Sequence, residues 1–551
     1  MYGRTLRARE HGAPAQLDDA AGRNYVSNEG SLAPDHAGAE PAPGTPGWTR
    51  RAVIGTAAGA VAAGGIVAAT SGGAISGTRA AQAATMLTKH GMKPRGEDAA
   101  AAPGAAEGRF GYMFKKLKGF TPDESLLSDL AKWMTETRPP SSTLDNKTVT
   151  AGYTFFGQFV DHDMTLDRRA LTGSPTDEKG VNFDSPKFDL QSVYGKGPDP
   201  KSPQAHLYES DGKRLRLGNY YAEDLPRDEG NWTALCGDAR NDENLIITQF
   251  HLLFLKFHNR LLEDKKASTF AEAQRITQWH FQWMIVNEFL KRVLDRDIFE
   301  TVKANPKKKG QFFNPKSPQK PEIPLEYSGA AFRFGHSMVR GAYVLNSASG
   351  AVLTFPDLHG SQRLPANKVI EWERFFSSDP KKQRNMARVI DPRLATPLFT
   401  LPPTVVNDGV VSLAQRNLRR GRQLNLPSGQ AVAREMLGEV PGLKVHTNEE
   451  FAVSVENAGQ TDLAKVLRKP EWRAELPLWF YVLAEPMLDP ANGGQTLGKL
   501  GSTIVGEVIM CILNGDKDSY LNAKSGFTPM TGRNEFTVMN FADYAQGKVD
   551  Y

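Results

Sequence analysis

Gly152-Tyr-Thr-Phe-Phe-Gly-Gln158-Phe-Val-Asp161-His162-Asp163 is the stretch on which the reading of this chain turns. Its aromatic density and spacing predict a helix, and Gln158 and His162, four residues apart, project from one face of it. A carboxylate, Asp161 or Asp163, stands on each side of His162. An imidazole in an apolar setting, flanked by charge, can move protons near neutral pH. Taken alone, such a histidine is more often a hydrogen-bonded structural residue. Three further polar clusters, distant in sequence, decide between the two readings.

The bulk properties fit a soluble globular protein. The chain has 551 residues, 40% hydrophobic and 23% charged, with a formal net charge of +5, enough for one large catalytic domain with a substantial core. No basic stripe interleaved with aromatics occurs, which argues against nucleic acid as a partner; Lys307-Lys308-Lys309 reads as a solvated loop. The two cysteines, Cys236 and Cys511, allow at most one internal disulfide and make no metal site.

The N-terminal region differs in kind. Residues 1–48 are rich in Ala, Gly, Pro and Asp without apolar periodicity and are expected to be a disordered extension. Residues 49–83 carry Arg50-Arg51, a weakly apolar Ala/Gly/Val run and a small-residue Ala81-Gln82-Ala83 sequence. That pattern looks like a twin-arginine export signal, with an N-terminal membrane anchor as the alternative. The expected location is therefore periplasmic or extracellular. A linker over 84–109 would lead into one catalytic domain over 110–551.

Within that domain the pattern predicts a mainly α fold with few short strands and long Gly/Pro-rich loops. Leu245–Leu262 is apolar nearly all round, as a buried helix is. Phe270–Val293 continues with helix formers, and Pro477 opens a short helix over Leu478–Ala484 that Pro486 ends. Strands are expected over Ala342–Leu345 and Val352–Phe355.

The second cluster, Gly237-Asp238-Ala239-Arg240-Asn241-Asp242-Glu243, leads into the first of these helices. Arg240 brings a permanent charge and a fork of donors suited to a developing oxyanion. The third is Phe332-Arg333-Phe334-Gly335-His336-Ser337-Met338, where Gly335 permits close approach of a flat ligand and Arg333 can pair with a carboxylate. The fourth, Arg416 through Arg422, offers Asn417, whose carbonyl can accept from an imidazole N–H, and Arg420 one turn on. Each cluster taken singly reads as structural or solvated.

Together the four clusters resemble the animal-type haem peroxidase family of the peroxidase–cyclooxygenase superfamily. The resemblance covers about residues 110 to 530. It includes His258-Asn259-Arg260-Leu261 and Asp189-Leu190-Gln191-Ser192-Val193-Tyr194-Gly195 as well. It implies haem b as cofactor, His162 as distal histidine, Arg240 as distal arginine, and Gln158 as holder of distal water or a halide. It further implies His336 as the iron ligand with Asn417 as its hydrogen-bond partner, and Arg333 and Arg420 as propionate contacts. Asp161 and Glu243 fall where mammalian members form ester links to the haem. Asn244 stands where one of them has a methionine making a third link, which should be absent here. The implied activity is reduction of hydrogen peroxide through an oxo-ferryl intermediate with oxidation of halides, thiocyanate or phenols, a chemistry suited to oxidative stress. The resemblance also implies a calcium site formed by Asp163, Ser185, the Lys187 carbonyl, Asp189 and Gln191, with Gln191 standing where a serine is usual.

Two alternatives come from other classes. A fatty-acid dioxygenase of the cyclooxygenase branch would carry Tyr three residues before the proximal histidine; here that residue is Arg333. An inactive adhesive protein would have lost His162 or Arg240, and both are present. His251, His258 and His280 are expected to be structural, outside any catalytic cluster. The sequence leaves the electron donor and the oligomeric state open.

Overall fold

The described chain opens on strand β1 (Gly108–Gly111), the centre of a three-stranded sheet. It pairs antiparallel with β2 (Val181–Asn182) and parallel with β3 (Glu322–Pro324), with Phe110 opposite Ile323. The structure is a computed structural model that describes residues 107–551 except 137–143, 305–309, 404 and 407. The N-terminal extension, the twin-arginine-like segment, most of the linker and Lys307–Lys309 lie outside the described residues. Among the described residues, no helix is long and apolar enough to cross a membrane, and all belong to one contact-dense unit.

The fold is mainly helical. Helix α1 (Glu124–Trp133) buries Leu126, Leu127, Leu130 and Ala131 along one stripe. Helix α2 (Gly152–Met164) is buried on nearly every face and ends where Thr165 turns to extended backbone. Helix α3 (Leu245–Glu263) starts at Asn244, whose side chain accepts from the Ile246 and Ile247 amides and so caps it. Helix α4 (Phe270–Met284) is capped by Thr269. The single helix expected over Phe270–Val293 is interrupted: residues Ile285–Leu290 form a π-turn before Lys291–Val293 resume α geometry.

Later come α5 (Leu413–Gln423), capped by Ser412, α6 (Leu478–Ala484) directly after Pro477, α7 (Lys499–Gly515) and α8 (Val538–Ala545). Strands β4 (Ala342–Val344) and β5 (Ala351–Leu353) pair antiparallel as a short hairpin. The disulfide allowed by the sequence is absent, since Cys236 and Cys511 are both unpaired.

An aromatic core positions the site. On α2, Phe159 stacks on Phe254 of α3 at 4.6 Å and meets Phe281 of α4 edge-on at 5.7 Å. Phe156 packs against Phe250, Phe281 and Phe289. Each fully buried ring contributes about 1.5–3 kcal/mol. Phe289, in the π-turn, also touches Phe332 and Phe334. Gly157 is needed there, because a Cβ would stand 2.9 Å from the Phe289 ring.

Candidate active site

The α2 helix carries Gln158, Asp161, His162 and Asp163, while Arg240 and Asn241 sit in a 3-10 turn, Ala239–Asp242, immediately before α3. This turn is anchored from behind by a buried ion cluster that no local motif announces. Arg227 donates to Asp224 (2.7 Å) and to both oxygens of Asp242 (2.8 and 3.1 Å), all fully buried. Thr248 and the Ser361 amide satisfy Asp242 further. A buried guanidinium between two carboxylates is stable only when its hydrogen bonds are made, as they are here.

His162 is buried at 1% exposure. Its Nδ1–H donates to Asn241 Oδ1 at 2.9 Å, and Asn241 Nδ2 donates to His251 Nδ1 at 3.0 Å. His251, expected to lie outside any catalytic cluster, thus stands two bonds behind His162. The physical reason is that α3 packs along α2 and turns this face of its first turns toward the histidine. His258 and His280 are structural as expected. His258 binds the Tyr194 hydroxyl and the Lys213 carbonyl, and His280 binds the Ile276 carbonyl and the Met530 amide. Burial pushes His251 down to about 3 and His280 and His258 down to about 4, so all three stay neutral.

Arg240 is held tightly. It donates from Nη2 to Asp238 (2.6 Å), to Asp184 (2.9 Å) and to the His162 carbonyl (3.1 Å), and Nη1 lies 4.0 Å from Asp161. Burial disfavours its charge, but Asp238 and Asp184 outweigh that and hold it above the ordinary arginine range. Burial, and then the negative Asp238 beside it, push Asp184 up to about 8. Asp238 is also disfavoured by burial, yet Arg240 keeps it below the usual carboxylate range. One guanidinium therefore serves an ionised and a reluctant carboxylate. Asp238 lay in the quoted motif; Asp184, distant in sequence, had no local signal.

Gln158 Nε2 donates to Glu243 at 3.3 Å, and Asn244 Nδ2 approaches Gln158 Oε1 at 3.5 Å. Asp161 accepts from the Thr165 hydroxyl at 2.9 Å. Gln158, Asp161, Arg240 and Glu243 are all half-buried beside the fully buried His162. The structure therefore brings these five expected residues to one wall.

A second wall is formed by the 3-10 turn Ala331–His336 and helix α5. Asn417 is fully buried between Arg333 and His336. Its polarity differs from expectation. Oδ1 accepts from Arg333 Nη1 at 2.8 Å, and Nδ2 faces His336 Nδ1 at 2.8 Å. Arg333 claims the carbonyl because its charge makes the stronger bond. Half a turn of the amide offers the oxygen to the imidazole instead. Arg333 Nε donates to the Ser328 carbonyl and Arg420 Nη2 to the Arg169 carbonyl, each at 2.9 Å.

The two walls meet through Phe289, which packs against Phe156 of α2 on one side and Phe332 and Phe334 on the other. Tyr327 stacks on Phe332 at 4.7 Å. Burial first, and the Asp161 carboxylate second, push its hydroxyl well up. That hydroxyl is buried without a hydrogen-bond partner. A Cβ added to Gly335 would meet nothing within 4 Å, and Gly335 and His336 are half-exposed between buried neighbours. Open space beside an imidazole, an orphaned buried hydroxyl and flanking arginines suit a flat, metal-centred, doubly acidic group such as haem.

The loop expected to bind calcium folds against Asp163. Asp163, fully buried, accepts from the Leu190 amide (2.8 Å), the Ser192 amide (3.2 Å) and the Ser192 hydroxyl (3.1 Å). Leu190 adopts a left-handed backbone, φ 57°, a strained setting for a side chain of its size. The Ser185 hydroxyl donates to Asp189 at 2.8 Å, Gln191 Oε1 accepts from the Ser185 amide at 3.1 Å, and the Lys187 side chain turns away to Asp516. Burial, and then Asp189, raise Asp163 well above its ordinary value. Among the described residues no group of three or more His, Cys, Asp or Glu side chains is gathered as for a metal; the expected site brings two carboxylates, Asp189 from the loop and Asp163 from α2.

A helical frame with a histidine in each of two joined walls has room in its chemistry for a metal-centred cofactor, and comparison with known proteins supplies the family. A family model described as animal haem peroxidase matches residues 171–535. The chain belongs to the animal haem peroxidase family. The matched span includes Arg240, Glu243, Arg333, His336, Asn417 and Arg420; Gln158 through Asp163 precede it.

Among curated relatives, the chorion peroxidase of Drosophila melanogaster is 25% identical over 403 residues, covering 68% of this chain and 47% of that protein. The human thyroid peroxidase is 25% identical over 300 residues, covering 51% of this chain and 30% of the relative. The chain thus spans half or less of their lengths. Peroxidase A from Dictyostelium discoideum has a similar fold (TM-score 0.56, 15% identity, 79% of this chain and 93% of that one). So does a fatty acid alpha-dioxygenase of Arabidopsis thaliana (TM-score 0.51, 13% identity, 83% and 84%).

Proposed function

We propose that this chain is a hydrogen-peroxide-dependent haem peroxidase that oxidises small donors, either halides and thiocyanate or phenols. The observation that carries the reading is a pair of histidines in adjoining walls, each engaged at Nδ1 by a buried asparagine: His162 by Asn241, His336 by Asn417. His336 would hold haem iron through Nε2 once Asn417 presents its oxygen to Nδ1–H, which makes the imidazole a better ligand. Arg333, released from Asn417, and Arg420 would take the propionates, and Asp161 and Glu243 would carry ester links. Haem in this position would supply the redox chemistry, reducing peroxide by two electrons and recovering them from the donor.

The chain's own residues handle the proton. With Nδ1–H given to Asn241, neutral His162 keeps its lone pair on Nε2. That nitrogen takes a proton from incoming peroxide and returns it to the departing oxygen, a service worth about 10²–10⁴-fold in rate. Arg240, fixed by Asp238 and Asp184, offers positive charge without having to reorganise. Gln158, tied to Glu243 and Asn244, would orient water or a halide.

The test is peroxide-dependent turnover of bromide, iodide, thiocyanate and phenols by wild type and His162→Ala. The variant is expected to keep its haem and lose peroxide reactivity; equal turnover in both would overturn the assignment. Oxygen uptake with a fatty acid, in place of peroxide turnover, would favour the dioxygenase reading. Resistance of the haem to acidified-solvent extraction tests the ester links. Calcium at Asp163, Ser185, the Lys187 carbonyl, Asp189 and Gln191 would neutralise two carboxylates that burial forces together; metal analysis of the purified protein checks it. Export through the twin-arginine-like segment at 49–83 is proposed from sequence alone and is checked by cell fractionation.

A further inference from the structure

Behind His162 the polar chain runs on past Asn241 to a second histidine, His251, which the proton-transfer scheme above does not use. Asn241 is wholly buried, His251 is 1% exposed, and His162 likewise 1%. The three residues come from three elements: α2, the 3-10 turn and α3. Asn241 is held by its own amide, which donates to the Asp238 carbonyl at 3.1 Å. His251 is held by its place on α3 and by Phe159, whose ring meets it edge-on at 6.1 Å.

An amide between two imidazole Nδ1 atoms has two settings. In one, its oxygen faces His162 and its nitrogen faces His251. His162 is then Nδ1-protonated with a basic Nε2, and His251 accepts. In the other, His251 donates to the oxygen and the amide N–H faces His162, whose proton must sit on Nε2. Each setting pairs all three groups, so the choice falls to the ring nitrogen of His251 that carries its proton: with the proton on Nε2, His251 Nδ1 can only accept and the first setting follows. Only the first leaves His162 able to accept a proton on the side away from Asn241, and it remains fully bonded when His162 becomes an imidazolium. The observed contacts are those of the first setting.

We infer that Asn241 and His251 are positioning residues: His251 accepts from the Asn241 amide and so keeps its carbonyl on His162, fixing the tautomer with a basic Nε2. This inference rests on the peroxidase reading for its purpose, though not for its geometry. His251 is suited to the task because burial keeps it neutral, and a neutral ring retains an acceptor nitrogen. The charged groups around His162 are Asp161 and Asp163 on its own helix, Asp238 and Arg240 from the 3-10 turn, and Asp184 bound to Arg240.

The first test needs no haem. Histidine-selective ¹⁵N NMR of the full chain is expected to show His162 protonated at Nδ1 and His251 at Nε2; the reverse pair overturns the inference. The second uses the haem-loaded enzyme. Asn241→Leu is expected to slow the reaction with peroxide roughly a hundredfold, and His251→Phe about tenfold, with haem absorption unchanged. Asn241→Asp keeps an acceptor and adds a charge. It should retain the rate at high pH and move the acid limb of the pH profile upward by roughly one unit or more, and it stands in if the leucine variant fails to fold. Wild-type rates and pH profiles in these variants, with a peroxide-reactive wild type, overturn the inference. A wild type that binds haem but ignores peroxide refutes the peroxidase reading instead, and leaves the NMR outcome to decide the tautomer.

Discussion

The two walls of the site are built on opposite principles. On the His162 side the buried polar groups are locked: Arg227 spans Asp224 and Asp242, Arg240 spans Asp238 and Asp184, and Asn241 spans two imidazoles. On the His336 side one amide is shared between a guanidinium and an imidazole, and Gly335 borders open space. A wall that directs a proton gains from rigid, prepaid geometry. A wall that must admit and grip a large planar group needs room and a partner able to turn.

The sharpest way to break this contrast is at His336. His336→Ala should strip the haem band from the purified protein while leaving the His162 wall folded. Absorption spectra and the tautomer of His162 report on the two separately, and a retained haem band would contradict the ligand assignment. Next is Arg227→Met, which leaves Asp224 and Asp242 buried without a counter-charge. Loss of about 3–5 kcal/mol is expected, read by chemical denaturation, with no equivalent loss for Arg333→Met on the looser wall. Asn417→Ala should weaken haem retention by roughly 10–100-fold, measured by transfer to a haem scavenger.

A last effect is on pH dependence. Folding raises Asp184 from 3.8 to about 8, so the folded state holds a proton the unfolded chain releases. Its contribution to stability is therefore complete below about pH 4 and is lost as pH rises toward 8. Melting temperatures of Asp184→Asn should fall less than those of wild type across that window; parallel curves would count against it.

Legibility in the sequence followed the same division. Regular elements were readable because periodicity and caps are local: the helix expected over Leu245–Leu262 is Leu245–Glu263, and Leu478–Ala484 agrees residue for residue. Gln158, Asp161, His162, Arg240 and Glu243 were nameable from motif, and the fold brings them together. Asp184, Arg227 and the bond between Asn241 and His251 were not. They depend on how irregular segments close, over 10 residues for Asn241 and His251, 15 for Arg227 and Asp242, and 56 for Asp184 and Arg240, where no periodicity announces a partner. The polarity of Asn417 was missed for a related reason, since Arg333 competes for its carbonyl only once the 3-10 turn meets α5. The π-turn within Phe270–Val293 left no mark either, because its residues are ordinary helix formers.

That π-turn makes the spacing of the site sensitive to chain length at a point remote from either histidine. Residues 285–290 carry Phe289 against Phe156 on one side and Phe332 and Phe334 on the other. Removing one residue would restore ordinary pitch and swing that ring by about 100° around the axis. The ring that props the His162 helix against the His336 turn would be withdrawn, and the distance between the two segments would have to be reset by other contacts.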